Sequence, residues 1–148
     1  MSPYEMIRAQ LGSAVPFARH AGVELVALTE GEGKAVLKQT DVSINHIGSQ
    51  HAGALFTLGE AASGAAMAGA FAPVILIVRP VAASATINYR KIAKGTITAI
   101  AKTSRPGADL RAALDADGKV SFDVDVELAD EQERPVADMK VVWHVSKA

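Results

Sequence analysis

The sequence contains no cysteine among its 148 residues. That absence excludes disulfide bonds, thiolate catalysis and cysteine-ligated metal centres, and it makes a reducing cytoplasm the expected compartment. The histidines His20, His46 and His144 show no ligand spacing with one another or with paired carboxylates, so no metal site is predicted. A net charge of -1 provides no positive field that would attract nucleic acid or anionic lipid.

Charge-free apolar segments of membrane-spanning length are nearly absent as well. The first ten residues, MSPYEMIRAQ, carry charges and no apolar stretch, unlike a secretory signal. Ala61–Val78 is uncharged and about as long as a membrane span, but alanine and glycine dominate it and Pro73 interrupts it. We interpret it as a buried helix followed by a turn, with a membrane span as the alternative, and we predict no membrane contact.

One carboxylate stands alone in a long stretch of the sequence that has no other charged residue. Glu60 is the only Asp, Glu, Lys or Arg between Asp41 and Arg79, within the stretch NHIGSQHAGALFTLGEAASGAAMAGA. Burying a carboxylate is costly unless it is hydrogen-bonded, paired or protonated. Glu60 is therefore predicted either to make a structural contact or to act chemically, since perturbed carboxylates cluster at functional sites.

The hydrophobic patterns predict one long helix among several strands. From His51 to Ala70 there is no alternation, and the composition favours a helix of about 20 residues. Residues 120–128 alternate strictly, which is typical of a strand with one solvated face. The other predicted elements are a helix over 1–11, a hairpin over 22–40 with Val23, Leu25 and Ala27 on one face of its first arm, a loop over 41–50, and strands over 84–93, 96–104 and 137–146. This order predicts an α+β fold over residues 1–148, with one antiparallel sheet against one helix.

The composition of the long helix predicts close neighbours. Its four glycines would each weaken it by about 1 kcal/mol relative to alanine, so we expect a sheet wrapped tightly around it. The helix is also too apolar on all sides to be covered by one curved sheet. A second copy of the chain is therefore expected against it, in a homodimer or a tetramer of two dimers.

The start of this helix offers hydrogen-bond donors. The first N–H groups of a helix lack internal partners and lie at the positive end of its dipole. The small residues Ala52 and Gly53 would let a ligand approach them, as an oxyanion hole requires. Glu60 lies eight residues beyond Ala52, about 12 Å along the axis. We therefore predict composite sites at a dimer interface, with amides from one copy and the carboxylate from the other.

A sequence motif links these residues to a known family. The pattern N-x-x-G-x-x-H-x-G over 45–53, followed by L-x-E over 58–60, resembles hotdog-fold acyl-CoA thioesterases of the phenylacetate-pathway type, and still more the domain of unknown function 4442 branch of that superfamily. The resemblance extends over nearly the whole chain, including INYRK over 87–91. It implies one curved antiparallel sheet wrapped around a long central helix, hydrolysis of an acyl-CoA thioester, and no cofactor beyond the coenzyme A of the substrate.

The resemblance also implies roles for single residues. Glu60, nine residues after the motif histidine, is the nucleophile or general base. The N–H of Ala52 polarises the thioester carbonyl together with that of Gly53, although two glycines are usual at these positions. Asn45 positions water or substrate.

Further candidates contact the substrate. Some family members carry a hydroxyl four residues after the carboxylate, where this chain has Gly64, so Ser63 is the candidate to replace it. His51 either contacts substrate, acts as a general base, or caps and orients the start of the helix. Arg90 and Lys91, near Lys94, either pair with the phosphates of coenzyme A or form a solvated basic face. The candidates for the acyl pocket are Ala61, Ala65, Ala66, Met67 and Phe71.

Two other functions stay open. A hydratase or dehydratase needs a histidine that works with a carboxylate, but His51 and Glu60 lie about 2.5 turns apart on opposite faces of one helix. They would meet only across a dimer. The other alternative is a non-catalytic module that binds acyl-CoA, although no DNA-binding segment marks it as a regulator.

Overall fold

One six-stranded antiparallel sheet curves around a single long helix in the computed structural model, which describes all 148 residues. This is the hotdog fold, and the predicted α+β class is confirmed. The helices are α1 (Pro3–Ala14), α2 (Pro16–Ala21), α3 (Ala52–Ala70) and α4 (Gly107–Asp117), with a 3-10 helix at Ala72–Ile77. The strands are β1 (Val23–Thr29), β2 (Glu32–Leu37), β3 (Val78–Tyr89), β4 (Ile97–Thr103), β5 (Lys119–Ala129) and β6 (Pro135–Lys147).

The long helix α3 forms the centre of the fold and matches the predicted helix within one residue. Eleven of its 19 residues are buried, and all but one of these are Ala, Gly, Leu or Met. Its carboxyl end is stabilised by Arg111, whose guanidinium donates to the Ala70 carbonyl at 2.6 Å and pairs with Glu30 at 2.9 Å. A cation at that end complements the helix dipole.

Two glycines allow the hairpin of β1 and β2 to touch the backbone of α3. A Cβ atom on Gly69 would lie 1.8 Å from the Thr29 carbonyl oxygen. A Cβ atom on Gly33 would lie 2.5 Å from the Ala62 carbonyl oxygen. The prediction of a sheet wrapped tightly around a glycine-containing helix is confirmed at these contacts.

The strands are ordered β1-β2-β4-β5-β6-β3, with every neighbouring pair antiparallel. The concave face packs on α3, and Trp143 and Phe122 are buried there, as expected. On the convex face Asp123 pairs with Lys140 at 3.7 Å. The alternation of β5 therefore separates a buried face from a solvated one, as its sequence predicts.

Four features differ from the predicted elements. Helices α2 and α4 were not predicted, and β3 begins six residues earlier, at Val78, than expected. A β-bulge between Leu25 and Ala27 shifts the register of β1, so Leu28 is buried and Ala27 is exposed. The predicted position of Ala27 on the inner face is therefore wrong, because strict alternation fails at a bulge.

Strand β3 is a long edge of the sheet with no covering element. It has 12 residues, pairs with β6 alone, and is exposed along most of its length. The 3-10 helix that leads into it exposes the apolar side chains of Leu76 and Ile77. An edge of this kind presents unpaired backbone N–H and C=O groups to which another strand can bond.

No helix in the chain combines the length and the apolar character that crossing a bilayer requires.

Candidate active site

Glu60 lies in the third turn of α3, beside a cavity of about 200 Å³. The cavity is bounded by α1, α2 and β1 on one side and by α3 and Trp143 on the other, and its lining is mostly apolar. The Glu60 carboxylate is partly buried and has no hydrogen-bond or ion-pair partner in the chain, and this desolvation raises its pKa. A lone carboxylate in such surroundings is the strongest candidate for chemistry in the molecule.

The cavity includes some of the residues that were predicted to contact an acyl group. Ala61, Ala65 and Met67 line it. Ala66 and Phe71 do not, because both are fully buried in the core against the sheet. Ala66 lies on the face of α3 that packs on the sheet, and Phe71 directly follows the helix, so neither lies beside this cavity.

His51 caps α3. Its Nδ1 atom accepts a hydrogen bond from the Gly53 N–H at 2.8 Å, which leaves the hydrogen of the neutral ring on Nε2. This bond occupies the Gly53 amide, so the predicted oxyanion role of Gly53 is not available in this conformation. The Ala52 N–H has no acceptor in the chain, and Ala52 is exposed. The Ala52 amide is therefore a free donor at the helix start.

Asn45 organises the loop before α3. Its Oδ1 atom accepts hydrogen bonds from the backbone N–H groups of Ile47 and Ser49 at 3.1 and 3.0 Å, and its Nδ2 donates to Ser49 Oγ at 2.9 Å. The amide is thus engaged in an Asx-type turn. Asn45 therefore shapes the loop that leads to His51, and its expected contact with substrate or water stays a prediction.

Ser63 is fully buried. Its hydroxyl donates to the Glu60 backbone carbonyl at 2.7 Å and accepts from Trp143 Nε1 at 3.0 Å. Both bonds are internal to the chain, and the expected substrate contact of Ser63 stays a prediction. The hydroxyl instead satisfies the buried indole N–H from a strand 80 residues away.

Replacing Ser63 by alanine is expected to reduce the free energy of unfolding by about 1–3 kcal/mol, because the Trp143 N–H loses its partner in the interior. Catalysis should change by less than about threefold, a difference below 1 kcal/mol. Urea unfolding monitored by circular dichroism, together with thioester hydrolysis, measures both effects. A large loss of turnover with unchanged stability would support Ser63 as a substrate contact.

Tyr89 is a residue at the helix start to which the sequence assigned no role. Its hydroxyl donates to the Ala52 carbonyl at 2.9 Å, although the residue belongs to the edge strand β3. Partial burial raises the pKa of its phenol. The signal was its position within the INYRK segment of the family resemblance, but spacing alone did not place a strand residue at a helix terminus.

The loop after β3 is also fixed to the start of α3. Gln50 is buried, and its Nε2 donates to the Gly95 carbonyl at 2.9 Å, while its backbone N–H donates to the Ala93 carbonyl at 2.8 Å. These bonds hold the basic residues that follow β3 in the neighbourhood of the exposed amide of Ala52.

The basic residues of that loop differ in their pairing. Arg90 forms an ion pair with Asp138, and the Arg90 guanidinium, followed by the Asn88 amide, lowers the pKa of the Asp138 carboxyl. Lys91 and Lys94 are exposed and make no ion pair. Of the predicted phosphate contacts, Lys91 is therefore free, and Arg90 already has a carboxylate partner.

The chain does not bring Glu60 and Ala52 together by itself. They lie on one continuous helix, eight residues and about 12 Å apart. The structure also contains no cluster of three or more His, Asp or Glu side chains that could hold a metal ion.

The six-stranded sheet wrapped around the central helix defines a hotdog-fold protein. Residues 4–145 match the family described as the domain of unknown function 4442, and the chain belongs to that family. No match was found among curated proteins.

Solved structures support this classification. A Pseudomonas aeruginosa protein of unknown function, described as a probable thioesterase, is 27% identical with a TM-score of 0.85, over 99% of this chain and 97% of that chain. The Escherichia coli PaaI protein from the phenylacetic acid degradation operon is 20% identical with a TM-score of 0.72, over 99% and 94%. A mutant of a Staphylococcus aureus thioesterase is 19% identical with a TM-score of 0.71, over 89% and 99%. The last two likenesses show the fold alone.

Proposed function

We propose that the protein is an acyl-CoA thioesterase in which Glu60 acts as nucleophile or general base. The observation that carries the proposal is the unpaired Glu60 carboxylate at the wall of an apolar cavity, with a pKa raised by burial. A base with a raised pKa accepts a proton more readily at neutral pH than an ordinary carboxylate does. The apolar cavity supplies a place for the acyl group beside it.

The chemistry follows from these two groups. As general base, Glu60 takes a proton from water while the water oxygen attacks the thioester carbonyl carbon. The carbonyl oxygen gains negative charge and is stabilised by the Ala52 N–H. The C–S bond then breaks, and the coenzyme A thiolate leaves and receives a proton, with a carboxylic acid as the other product. As nucleophile, the Glu60 carboxylate would attack the same carbon, and the C–S bond would break to expel the coenzyme A thiolate and leave an anhydride. Water would then hydrolyse the anhydride to the carboxylic acid and free Glu60.

We further propose that each site combines two copies of the chain. The separation of Ala52 and Glu60 on one helix requires the amide and the carboxylate to come from different subunits. The uncovered edge of β3 and the exposed Leu76 and Ile77 beside it supply a surface for a second copy, in a dimer or in a tetramer of two dimers. Antiparallel packing of two α3 helices would place each Ala52 near the partner's carboxylate.

The test of the activity is release of free coenzyme A from short, medium, long and aromatic acyl-CoAs by the wild-type protein. Turnover of at least one of them above the rate without enzyme is the expected result. Binding of acyl-CoA without release of the thiol would instead favour the non-catalytic module. That second candidate is favoured by the internal bonds of Asn45, Gly53 and Ser63, which leave few groups free for catalysis.

Replacing Ala52 by proline is expected to lower kcat by about a hundredfold, because proline has no N–H to offer the oxyanion. The helix should tolerate it, since Ala52 is the first helical residue and His51 has the extended conformation, φ -65 and ψ 139, that suits a residue before proline. Turnover and thermal unfolding are measured together. Unchanged turnover would remove the Ala52 amide from the mechanism.

Mixing two inactive variants tests the shared site. A dimer of one Glu60→Gln chain and one Ala52→Pro chain contains one intact site and one site that lacks both groups. After subunit exchange of equal amounts, half of the dimers are mixed, so about a quarter of wild-type activity should return. No recovery despite exchange, shown by mass spectrometry, would place both groups in one subunit.

We propose the cytoplasm as the compartment, on the basis of the cysteine-free sequence.

A further inference from the structure

The cavity beside Glu60 has a wall built by the N-terminal part of the chain. Leu11 and Gly12 of α1, Val15 between the helices, and Val23 and Leu25 of β1 all line it. The central helix and Trp143 form the opposite side. Two short helices and an edge strand therefore border the space next to the carboxylate on this side.

The wall is attached to the sheet by a specific contact. Arg8 on α1 donates from Nη1 to the Leu25 carbonyl at 3.1 Å, and its guanidinium is held in place by an ion pair with Glu5. Apolar side chains of α1, Ile7 and Leu11, pack against the core beneath. These contacts attach the α1 wall of the cavity to the sheet and the core.

The volume of the cavity limits the acyl group that can lie wholly within it. An apolar cavity of about 150 Å³ takes up benzene, which has six carbons. At the same packing, the 200 Å³ cavity beside Glu60 holds about eight carbons. A chain of sixteen carbons would need roughly twice the volume. The lining is mostly apolar, with Arg19 and Glu60 as its charged members.

We propose that this cavity is the acyl pocket and that the α1–α2 wall restricts the substrate to apolar acyl groups of about eight carbons or fewer, including a single ring. The inference rests on the proposed function, because it assigns the acyl group of that same substrate. Leu25 of β1 and Ala61 of α3 both line the cavity, so a change in the size of either side chain changes the space available to the acyl group. Neither residue takes part in the chemistry.

The experiment compares kcat/KM for straight-chain acyl-CoAs of two to sixteen carbons. Wild type should gain about fourfold per methylene up to about eight carbons, the factor expected for burying one methylene. From eight to sixteen carbons kcat/KM should fall at least tenfold.

Two substitutions should move this limit in opposite directions. Ala61→Leu adds three carbons inside the cavity, so hydrolysis of octanoyl-CoA should fall at least tenfold while that of acetyl-CoA changes by about twofold or less. Leu25→Ala removes three carbons and should shift the optimum to chains longer by about three methylenes. Val26→Ala is the matched control, because Val26 is the next residue on β1 and is 45% exposed.

The outcomes separate the inference from the proposed function. Hydrolysis that depends on Glu60 but shows the same length profile in wild type, Ala61→Leu and Leu25→Ala overturns the acyl pocket and leaves the activity standing. Calorimetry with the non-hydrolysable thioethers S-hexyl-CoA and S-hexadecyl-CoA measures the pocket without turnover. Tight binding of the hexyl compound alone, in a protein that hydrolyses nothing, supports the pocket and overturns the activity. Equal binding of both compounds overturns the pocket.

Discussion

Glu60→Gln is expected to lower kcat by about three orders of magnitude, within the range that general-base catalysis contributes. Glutamine keeps the shape of the side chain but cannot accept a proton from water or attack a carbonyl carbon. KM should change little, because the apolar contacts of the cavity are unaltered. The substitution therefore removes an interaction that exists only in the transition state.

The measurement is coenzyme A release at saturating substrate, with Glu24→Gln as the control. Glu24 lies on β1, is exposed, and forms no ion pair, so the same chemical change there should leave turnover unaltered. A Glu60→Gln protein that is as active as wild type would exclude this carboxylate as the catalyst.

The same substitution should make the protein more stable at neutral pH. Because burial raises the pKa of folded Glu60 above its ordinary value of 4.5, the folded state favours the protonated form. The contribution of Glu60 to the free energy of unfolding is fully present below its pKa in the unfolded chain. This contribution is lost as pH rises through its pKa in the folded protein. The stability of Glu60→Gln relative to wild type should therefore increase from pH 4 towards pH 8, as measured by urea unfolding. A difference that is constant with pH would contradict the desolvated carboxylate.

The largest effect on stability is expected from Gly69→Ala. The new Cβ would lie 1.8 Å from the Thr29 carbonyl oxygen and 2.9 Å from its carbon. Both are backbone atoms of β1, so the hairpin must move away from α3. We expect a loss of at least about 3 kcal/mol in the free energy of unfolding, a large part of the 5–15 kcal/mol that is typical of a whole domain. Chemical denaturation measures it.

The matched control is Gly12→Ala on α1. There the added Cβ meets no atom within 4 Å, and the residue lies within a helix. Alanine should therefore stabilise the protein by about 0.5–1 kcal/mol. The change from glycine to alanine then lowers the free energy of unfolding at one helical position and raises it at the other. Equal effects at both would mean that contact with Thr29 does not decide the outcome at Gly69.

The parts of the fold that were predicted correctly are those in which local pattern and tertiary packing agree. Helix α3 has no competing strand signal, and β5 alternates without interruption. Helix α4 was missed although Leu110 and Leu114 are one turn apart and Gly118 ends it in the left-handed conformation, φ 75. The bulge after Leu25 could not be predicted from the pattern of apolar residues in the sequence.

The candidate site also contains residues whose role could be predicted from the sequence and residues whose role could not. Glu60 is recognisable because a charge is absent around it for many residues in both directions. The hydrogen bonds of Ser63 and Ala52 cannot be recognised in the sequence. Their partners, Trp143 and Tyr89, belong to strands that come near only when the chain folds. Side-chain amides and hydroxyls near a motif look alike in sequence whether they contact a ligand or another part of the chain.

Trp143 is the only tryptophan of the protein, and it lies between Ser63 and the cavity beside Glu60. Its indole therefore faces the proposed acyl pocket on one side and a buried hydrogen bond on the other. The intrinsic fluorescence of the protein comes to a large extent from this one position. An apolar group that enters the cavity displaces water next to the ring, so emission shifts towards shorter wavelength without any label. The molecule thus contains its own optical reporter, with which occupancy of the pocket can be followed during a single turnover.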